Sequence, residues 1–192
     1  MVELAAELRC DGAEVEHCRC DIDSAADSVA LVDNTPARYG RLDGAFNNAG
    51  ISGGIGRLAD LSEERFDERS RVNFQSIWLA MRAEIAALLR NPHAGANVNT
   101  SRVGGLRGGP NLSACPATKR AVIGHTTTAA HDYGRGGLRV NAIAPRTTDI
   151  DMIAAWKRHD PGIAERLNAI SPLGRGGQPS EVAEAAACMV AE

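Results

Sequence analysis

Short apolar segments alternate with longer amphipathic ones along the sequence, and this alternation limits the chain to few folds. The apolar segments, at residues 14–20, 42–46, 96–100 and 138–144, have the length and composition of β-strands. Helical segments separate them, and strands that are joined through helices pair in parallel rather than as hairpins. The pattern therefore predicts an α/β fold with an open, twisted parallel sheet.

The helical segments are recognised by apolar residues that recur every three or four positions. The longest segment, residues 62–90, is predicted to bury one face that carries Phe74, Trp78, Met81, Ile85 and Leu88. Further helices are predicted over residues 2–10, 24–34, 115–133, 151–159, 163–169 and 180–191. We expect their apolar faces to cover the sheet.

The composition indicates a single globular domain, residues 1–192, outside the nucleic-acid-binding and membrane classes. The 21 basic and 24 acidic residues give a net charge of −3, and the absence of a long basic run argues against DNA or lipid partners. No apolar run approaches about 18 residues and the first residues lack the pattern of a signal peptide, so we expect a cytoplasmic protein with reduced cysteines. Cys18 and Cys20 have no second pair at zinc spacing, so no metal site is predicted.

Two glycine-containing segments follow the predicted strand at 42–46. Gly50, Gly54 and Gly56 have the spacing of a dinucleotide turn, but five residues separate Gly56 from the next predicted helix. A phosphate turn needs the helix to start at its last glycine, so we interpret this segment as an ordinary glycine loop. Asn47-Asn48-Ala49-Gly50 lies at the carboxyl end of the strand, where small residues either let a planar ligand approach the backbone or form a tight turn.

Several short motifs occur in an order and spacing that are found together in one enzyme family. They are Cys20-Asp21-Ile22, Gly40-Arg41-Leu42-Asp43, Asn47-Asn48-Ala49-Gly50, Val72-Asn73, Val98-Asn99-Thr100-Ser101, Pro116-Ala117-Thr118-Lys119, Arg139-Val140-Asn141-Ala142-Ile143-Ala144-Pro145, and Pro172-Leu173-Gly174-Arg175 with Pro179-Ser180-Glu181-Val182-Ala183. By these motifs the sequence resembles the short-chain dehydrogenases/reductases, which bind NAD or NADP in a Rossmann-type fold.

The resemblance implies a doubly wound Rossmann-type sheet of seven parallel strands in the order 3-2-1-4-5-6-7. Residues 14–20 then correspond to family strand 3, and residues 42–46, 96–100 and 138–144 correspond to strands 4, 5 and 6. Strands 1, 2 and 7 find no counterpart, so we expect an incomplete sheet in a chain that is truncated at both ends. Family strand 4 would have a bare edge, and one hypothesis is that residues 14–20 move across to pair with it.

The resemblance also implies a proton-transfer site. In the family a Tyr moves the proton, a Lys four residues later holds the cofactor ribose, a Ser thirteen residues before the Tyr orients the substrate oxygen, and an Asn supports a relay water. Lys119 and Asn73 match the Lys and Asn positions, whereas Cys115 and Arg102 stand at the Tyr and Ser positions. A Cys side chain is much shorter than Tyr, so we expect loss of general acid–base assistance, which is worth about 10²–10⁴-fold. Ser101, beside Arg102, is expected to point to the other face of its strand.

For the cofactor, NAD or NADP, the resemblance implies contacts from the ends of several strands. The matching residues are Asp21, Ile22, Asn48, Ala49, Gly50, Lys119, Pro145 and Thr148. The glycine-rich turn that holds the pyrophosphate in the family has no counterpart, which argues against tight binding. Two further positions depart from the family pattern, since Arg146 replaces a glycine and Asn97 stands where an apolar residue is expected. A buried, unpaired amide at Asn97 would cost about 1–3 kcal/mol.

The resemblance therefore implies an NAD(P)-dependent oxidoreductase of secondary alcohols and ketones. The substitutions at the Tyr and Ser positions predict that this chain is catalytically impaired or inactive. The alternative is a non-catalytic remnant that acts as an oligomerisation partner, through the helices at 62–90 and 115–133, or as a small-molecule binding module. Retained family catalysis and new thiol or anion chemistry at Cys115 and Arg102 are the remaining interpretations.

Overall fold

A three-stranded parallel sheet forms the centre of the computed structural model, which describes residues 2–52, 56–112 and 114–191. The strands are β1 (Gly44–Asn47), β2 (Ala96–Thr100) and β3 (Arg139–Ile143), in the order β1-β2-β3. In the register, Phe46 lies opposite Val98, and Val98 lies opposite Asn141. The predictions of strands at 42–46, 96–100 and 138–144 are confirmed, with small shifts at the strand ends.

Helices precede, join and follow the strands. They are α1 (Val2–Cys10), α2 (Ala25–Tyr39), α3 (Glu63–Ser70), α4 (Ser76–Leu88), α5 (Val103–Arg107), α6 (Ala114–Tyr133), α7 (Asp151–His159), α8 (Ile163–Ala169) and α9 (Pro179–Val190). Short 3₁₀ turns occur at Leu58–Asp60 and Gly134–Gly136. Within these ranges, no helix is both long and apolar enough to cross a bilayer.

A single π turn, Arg71–Gln75, joins α3 to α4. The sequence predicts one continuous helix over 62–90, and the structure instead has two helices joined by a segment with one extra residue per turn. Trp78 is 42% exposed, so its prediction as a core residue is wrong. Ile77 is buried in its place, because it lies nearer than Trp78 to the centre of the face that the buried residues Met81, Glu84 and Leu88 define.

The prediction of a strand at 14–20 is wrong. This segment is extended, but no strand pairs with it in the described part of the chain, and the hypothesis that it moves across to β1 also fails because β1 pairs with β2 only. Its contacts run instead to helices, since Arg9 donates to the carbonyl oxygen of Val15 and Arg38 forms an ion pair with Glu14. An alternating pattern becomes a strand only where a neighbour offers a ladder of hydrogen bonds.

Two apolar clusters lie on opposite faces of the sheet. The larger one joins α4 and α6 to β3 through Ile77, Met81, Ile85, Leu88, Ala94, Val122, Ala129, Leu138 and Val140. The smaller one joins β2 and β3 to α9 through Val98, Ile143 and Ala186. Side chains alternate between faces along a strand, and Val98 accordingly faces α9 while its neighbours Asn97 and Asn99 face α4 and α6. Helices therefore cover both faces of the sheet, as expected for a doubly wound fold.

A buried polar network ties β1 and β2 to α4. The carboxylate of Glu84 accepts hydrogen bonds from the Nδ2 atoms of Asn47 and Asn97, at 2.8 and 2.6 Å. Asn99 donates to the Oδ1 atom of Asn97 at 2.9 Å and to the Oγ1 atom of Thr126 at 3.2 Å. Asn97 is fully buried, but the expected unpaired amide does not occur, because Glu84 and Asn99 satisfy it.

Burial raises the pKa of the Glu84 carboxyl above its ordinary value, although the hydrogen bonds from Asn47 and Asn97 oppose that rise. In the folded state the neutral form is therefore favoured relative to the unfolded chain. Above this raised pKa, the buried charge of Glu84 lowers the free energy of unfolding. As the pH falls, the folded protein binds a proton at Glu84, and the destabilisation is lost by the time the pH reaches the ordinary pKa of Glu.

We predict that Glu84→Gln raises the free energy of unfolding at pH 7, because its carbonyl oxygen still accepts from Asn47 and Asn97 without a buried charge. The advantage over the native protein should shrink as the pH falls towards the ordinary pKa of Glu. Glu84→Leu is the matched control, and it should lose about 1–3 kcal/mol for each amide left unpaired. Urea unfolding at several pH values measures both effects. A Gln variant that is less stable than the native protein at every pH would contradict the prediction.

Candidate active site

The carboxyl ends of β1, β2 and β3 open onto one cavity of about 390 Å³. It is lined by Asn48, Gly50, Ile51, Ser52, Asn73, Thr100, Ser101, Arg102, Cys115, Lys119, Pro145, Arg146, Thr148, Ile150, Met152, Ile153, Pro179 and Val182. Parallel strands end at the same edge of a sheet, so the segments that follow them converge there. The motif residues that were far apart in sequence are brought together for this reason.

Lys119 reaches the cavity from α6. Its side chain is buried, and its Nζ atom donates to the carbonyl oxygen of Thr100 at 2.7 Å. Burial lowers the pKa of Lys119; the sulfur of Cys115 acts in the opposite direction, and the guanidinium of Arg102 lowers the pKa further. The last C=O group of β2 thus fixes the ammonium group at the end of the strand.

Asn73 holds the loop that follows β1. It lies fully buried in the π turn, where its Oδ1 atom accepts from the N–H group of Ile51 at 2.8 Å and its Nδ2 atom donates to the Ile51 carbonyl at 3.0 Å. A Cβ atom at Gly50 would lie 3.0 Å from Asn73 Oδ1, which is too tight, whereas its distance of 3.7 Å from Lys119 Nζ would be an ordinary contact. The motif Asn47–Gly50 therefore ends in a glycine for reasons of space.

Cys115 and Arg102 meet at the inner wall of the cavity. Cys115 is 5% exposed, and Arg102 Nη1 lies 3.6 Å from its sulfur. The guanidinium of Arg102 also lies 5.6 Å from the ring centre of Trp156 on α7. The resemblance assigns Cys115 and Arg102 to two positions of one site, but nothing in the sequence signals that Trp156 would lie over the guanidinium.

Ser101 cannot take over the missing hydroxyl role. Ser101 lines the cavity, although it was expected to point to the other face of the sheet. Its Oγ atom, however, donates to the backbone carbonyl of Lys119 at 2.8 Å. Tyr39 lies at the end of α2 and Tyr133 at the end of α6, and neither lines the cavity. The described wall of the cavity therefore carries no phenol at the position of the family's proton donor.

The predicted cofactor residues divide into two groups. Asn48, Gly50, Lys119, Pro145 and Thr148 line the cavity, and Asn48 is positioned by the Thr100 hydroxyl, which donates to its Oδ1 atom at 2.9 Å. The remaining three, Asp21, Ile22 and Ala49, do not line it.

Asp21 lies just before α2, where its N–H group donates to the carboxylate of Asp27.

Gly56, in the glycine loop, pairs with Leu112, and its N–H group donates to the carbonyl oxygen of Asn111. Gly54 lies outside the described residues. The predicted cofactor residues that line the cavity thus fit the nicotinamide side of a dinucleotide. The described residues do not form a binding turn for its pyrophosphate. Across the described ranges, no three His, Cys, Asp or Glu side chains converge as metal ligands would.

Several cavity residues were not predicted from the sequence. Met152 and Ile153 come from α7, and Pro179 and Val182 come from α9. The apolar spacing of these segments marks them as amphipathic helices, but it does not say whether the apolar face meets the core or a ligand. Only the tertiary packing of α7 and α9 places these side chains at the cavity.

We predict that Arg102→Ser raises the pKa of Lys119, because it removes the cation that lowers it from nearby. The sequence holds two lysines, Lys119 and Lys157, so NMR titration of protein labelled with ¹³C-lysine gives two resolvable curves. Lys157 serves as the internal reference. Arg107→Ser, at an exposed position that does not line the cavity, is the matched control and should leave the Lys119 curve in place. An unchanged curve in Arg102→Ser would show that the two cations do not interact.

Comparison with known proteins identifies the chain's relatives. The family described as enoyl-(acyl carrier protein) reductase matches residues 1–192. The A-factor type gamma-butyrolactone 1'-reductase (1S-forming) of Streptomyces virginiae is 38% identical over 189 residues, which cover 98% of this chain and 74% of the relative. The levodione reductase of Leifsonia aquatica is 35% identical over 94% of this chain and 69% of its own length.

Solved structures show the same architecture. Levodione reductase superposes with a TM-score of 0.91 at 32% identity, covering 98% of this chain and 75% of that chain. NAD⁺-bound xylitol dehydrogenase superposes with a TM-score of 0.92 at 26% identity, covering 100% of this chain and 78% of that chain. The motifs, the strand order and these relatives agree, and the chain belongs to the short-chain dehydrogenase/reductase family of oxidoreductases.

Proposed function

We propose that this chain is an oxidoreductase-family protein whose hydride-transfer activity is impaired and whose cavity serves to bind a small molecule. The observation that carries the proposal is the contact of Arg102 with Cys115, 3.6 Å from nitrogen to sulfur. A guanidinium and a thiol occupy the two positions at which the family has hydroxyl groups.

The short side chain of Cys115 explains the impairment. Its sulfur is one bond beyond Cβ, whereas a tyrosine hydroxyl at the same position would extend a further ring length into the cavity. A general acid must come within roughly 3 Å of the atom that it protonates. The guanidinium of Arg102 stands where the family's Ser would orient a carbonyl oxygen, so the hydroxyl group of that Ser is missing as well.

The proposal includes a nicotinamide cofactor that binds in the cavity. The related structures are named for bound NAD⁺ or NADPH, including the NADPH complex of actinorhodin polyketide ketoreductase. When bound, the cofactor supplies the hydride. In this chain Lys119 and Asn48 would hold its ribose side, and Pro145 and Thr148 would lie beside the ring.

The substrate class that the relatives suggest is a small cyclic ketone or alcohol. Levodione reductase and cyclohexanol dehydrogenase are among the named relatives. The cavity volume of about 390 Å³ suits a molecule of that size.

We predict that the native protein does not turn over cyclohexanone with millimolar NADH or NADPH above the background of a Lys119→Met variant. The double variant Arg102→Ser/Cys115→Tyr restores both hydroxyl groups and should gain about 10²-fold or more in rate. Absorbance at the reduced nicotinamide band follows the rate, and a fluorescence titration of each protein with NADH separates weak binding from slow chemistry.

The matched control is Arg107→Ser/Cys188→Tyr, in which the same exchanges are made at exposed positions outside the cavity. It should stay at the background rate. If the native protein turns over cyclohexanone and Lys119→Met does not, the proposal of impaired catalysis is contradicted.

A second candidate role, self-association through α3–α4 and α6, is supported by apolar side chains on those helices. Trp78 and Tyr133 line a groove of about 190 Å³ between α4 and α6, and both are exposed, as is Phe66 on α3. Exposed aromatic side chains in one groove are typical of surfaces that bind another protein.

We predict that Trp78→Glu shifts the native oligomer to the monomer, because it places a charge in the groove between α4 and α6. Light scattering after size-exclusion chromatography measures the mass. Leu173→Glu is the matched control, since Leu173 is exposed between α8 and α9, away from these helices. A native protein that is monomeric at high micromolar concentration would remove this second role.

A further inference from the structure

The wall of the active-site cavity has a charge opposite in sign to that of the whole chain. Three of its residues are cationic, Arg102, Lys119 and Arg146, and none of its described residues is Asp or Glu. The complete sequence, in contrast, has a net charge of −3. A cluster of like charges in a partly enclosed cleft raises the local potential and favours a ligand of the opposite sign.

None of these three cations is neutralised by a carboxylate within the part of the chain that the structure describes. Lys119 donates to a backbone carbonyl, and the guanidinium of Arg102 lies against the sulfur of Cys115 and the ring of Trp156. Burial and the nearby guanidinium lower the pKa of Lys119, so the charged form of this one side chain is disfavoured in the cavity. An anion placed between Lys119 and Arg102 would relieve that repulsion.

Several of the other residues that line the cavity are apolar. Ile150, Met152 and Ile153 approach from the start of α7, and Val182 approaches from α9. Ile150 is exposed, so its side chain is available to a ligand as well as to the protein. The cavity is thus lined both by cationic groups and by hydrocarbon side chains. This combination suits a molecule with an anionic group on an apolar body.

We propose that the cavity binds a small organic carboxylate, with Arg102 as the main partner of the carboxylate group, Lys119 beside it, and the hydrocarbon body against Ile153 and Val182. A guanidinium matches a carboxylate well, because two parallel N–H groups donate to its two oxygens. Trp156 positions the guanidinium, since its ring lies over the planar group. The proposal rests on the proposed function in that it names the ligand class of the same cavity.

The first test is calorimetric titration with cyclohexanecarboxylate and with its neutral counterpart, cyclohexanecarboxamide. We expect the carboxylate to bind about tenfold or more tightly than the amide, because a hydrogen bond to a charged group is the stronger one. Arg102→Ser should lose this preference and Arg107→Ser should keep it. Equal affinities for the acid and the amide in the native protein would overturn the proposal.

Cyclohexyl phosphate forms a further arm of the titration, because a phosphate monoester shares the negative charge. Tighter binding of the carboxylate supports the proposal. Tighter binding of the phosphate overturns the carboxylate assignment, even if Arg102→Ser weakens both ligands.

The second test uses Cys115 as a reporter and needs no variant. Peptide mass spectrometry measures how fast each cysteine reacts with iodoacetate, which is anionic, and with iodoacetamide, which is neutral. The exposed residues Cys10 and Cys188 give the reference ratio in the same protein. We expect the ratio at Cys115 to favour iodoacetate by about tenfold over that reference, and cyclohexanecarboxylate to slow both reactions at Cys115 alone. A ratio at Cys115 equal to the reference would overturn the proposal.

The two proposals fail separately. Ketone turnover by the native protein would remove the impaired-catalysis proposal and leave the carboxylate preference standing if the acid still binds more tightly than the amide. Absence of that preference, together with absence of turnover, would remove only the carboxylate inference. Circular dichroism of Arg102→Ser, compared with Arg107→Ser, shows whether a loss of binding reflects unfolding.

Discussion

The parallel register of β1, β2 and β3 is the constraint on which the rest of the structure depends. Because all three strands run in the same direction, Asn48, Thr100 and Pro145 emerge at one edge of the sheet. Lys119 then needs only one hydrogen bond, to the carbonyl of Thr100, to be fixed at that edge. The Glu84 network holds β1 and β2 together on one side, and the α9 cluster supports β2 and β3 on the other.

Two substitutions alter what this edge can do while leaving its shape in place. The backbone geometry that positions Lys119 and Asn73 does not involve the side chains of Cys115 and Arg102, so it persists without the family's two hydroxyl groups. The chemistry is less tolerant, because proton transfer depends on the reach and acidity of one side chain. Arg102 also adds a positive charge near the buried ammonium of Lys119, and the anion preference that we propose for the cavity follows from that pair of charges.

The sequence predicted most of what depends on local pattern and motif order. Three strands and the helices that flank them follow from periodicity, and the family's spacing assigns Cys115 and Arg102 to one site. It could not predict how Asn97 is satisfied, since its partner Glu84 lies 13 positions away on another element. Trp156 over Arg102 was missed for the same reason, because that contact depends on how α7 docks.

Two of the wrong predictions, the strand at residues 14–20 and the burial of Trp78, show what a sequence pattern cannot decide. Residues 14–20 alternate like a strand, yet strand formation requires a partner, and a pattern within one segment cannot supply it. Trp78 follows the same 3–4 spacing as its buried neighbours, but it sits at the margin of the helical face, where packing alone decides between burial and exposure.

The π turn at Arg71–Gln75 has an evolutionary consequence. Removing its extra residue would restore a regular helix and would change the direction in which the residues of the turn point. Asn73 would then swing away from Ile51, and the loop after β1 would lose the two hydrogen bonds that Asn73 makes to it. Point substitutions can accumulate around this irregularity, whereas a single-codon deletion within it would be selected against for as long as the cavity is in use.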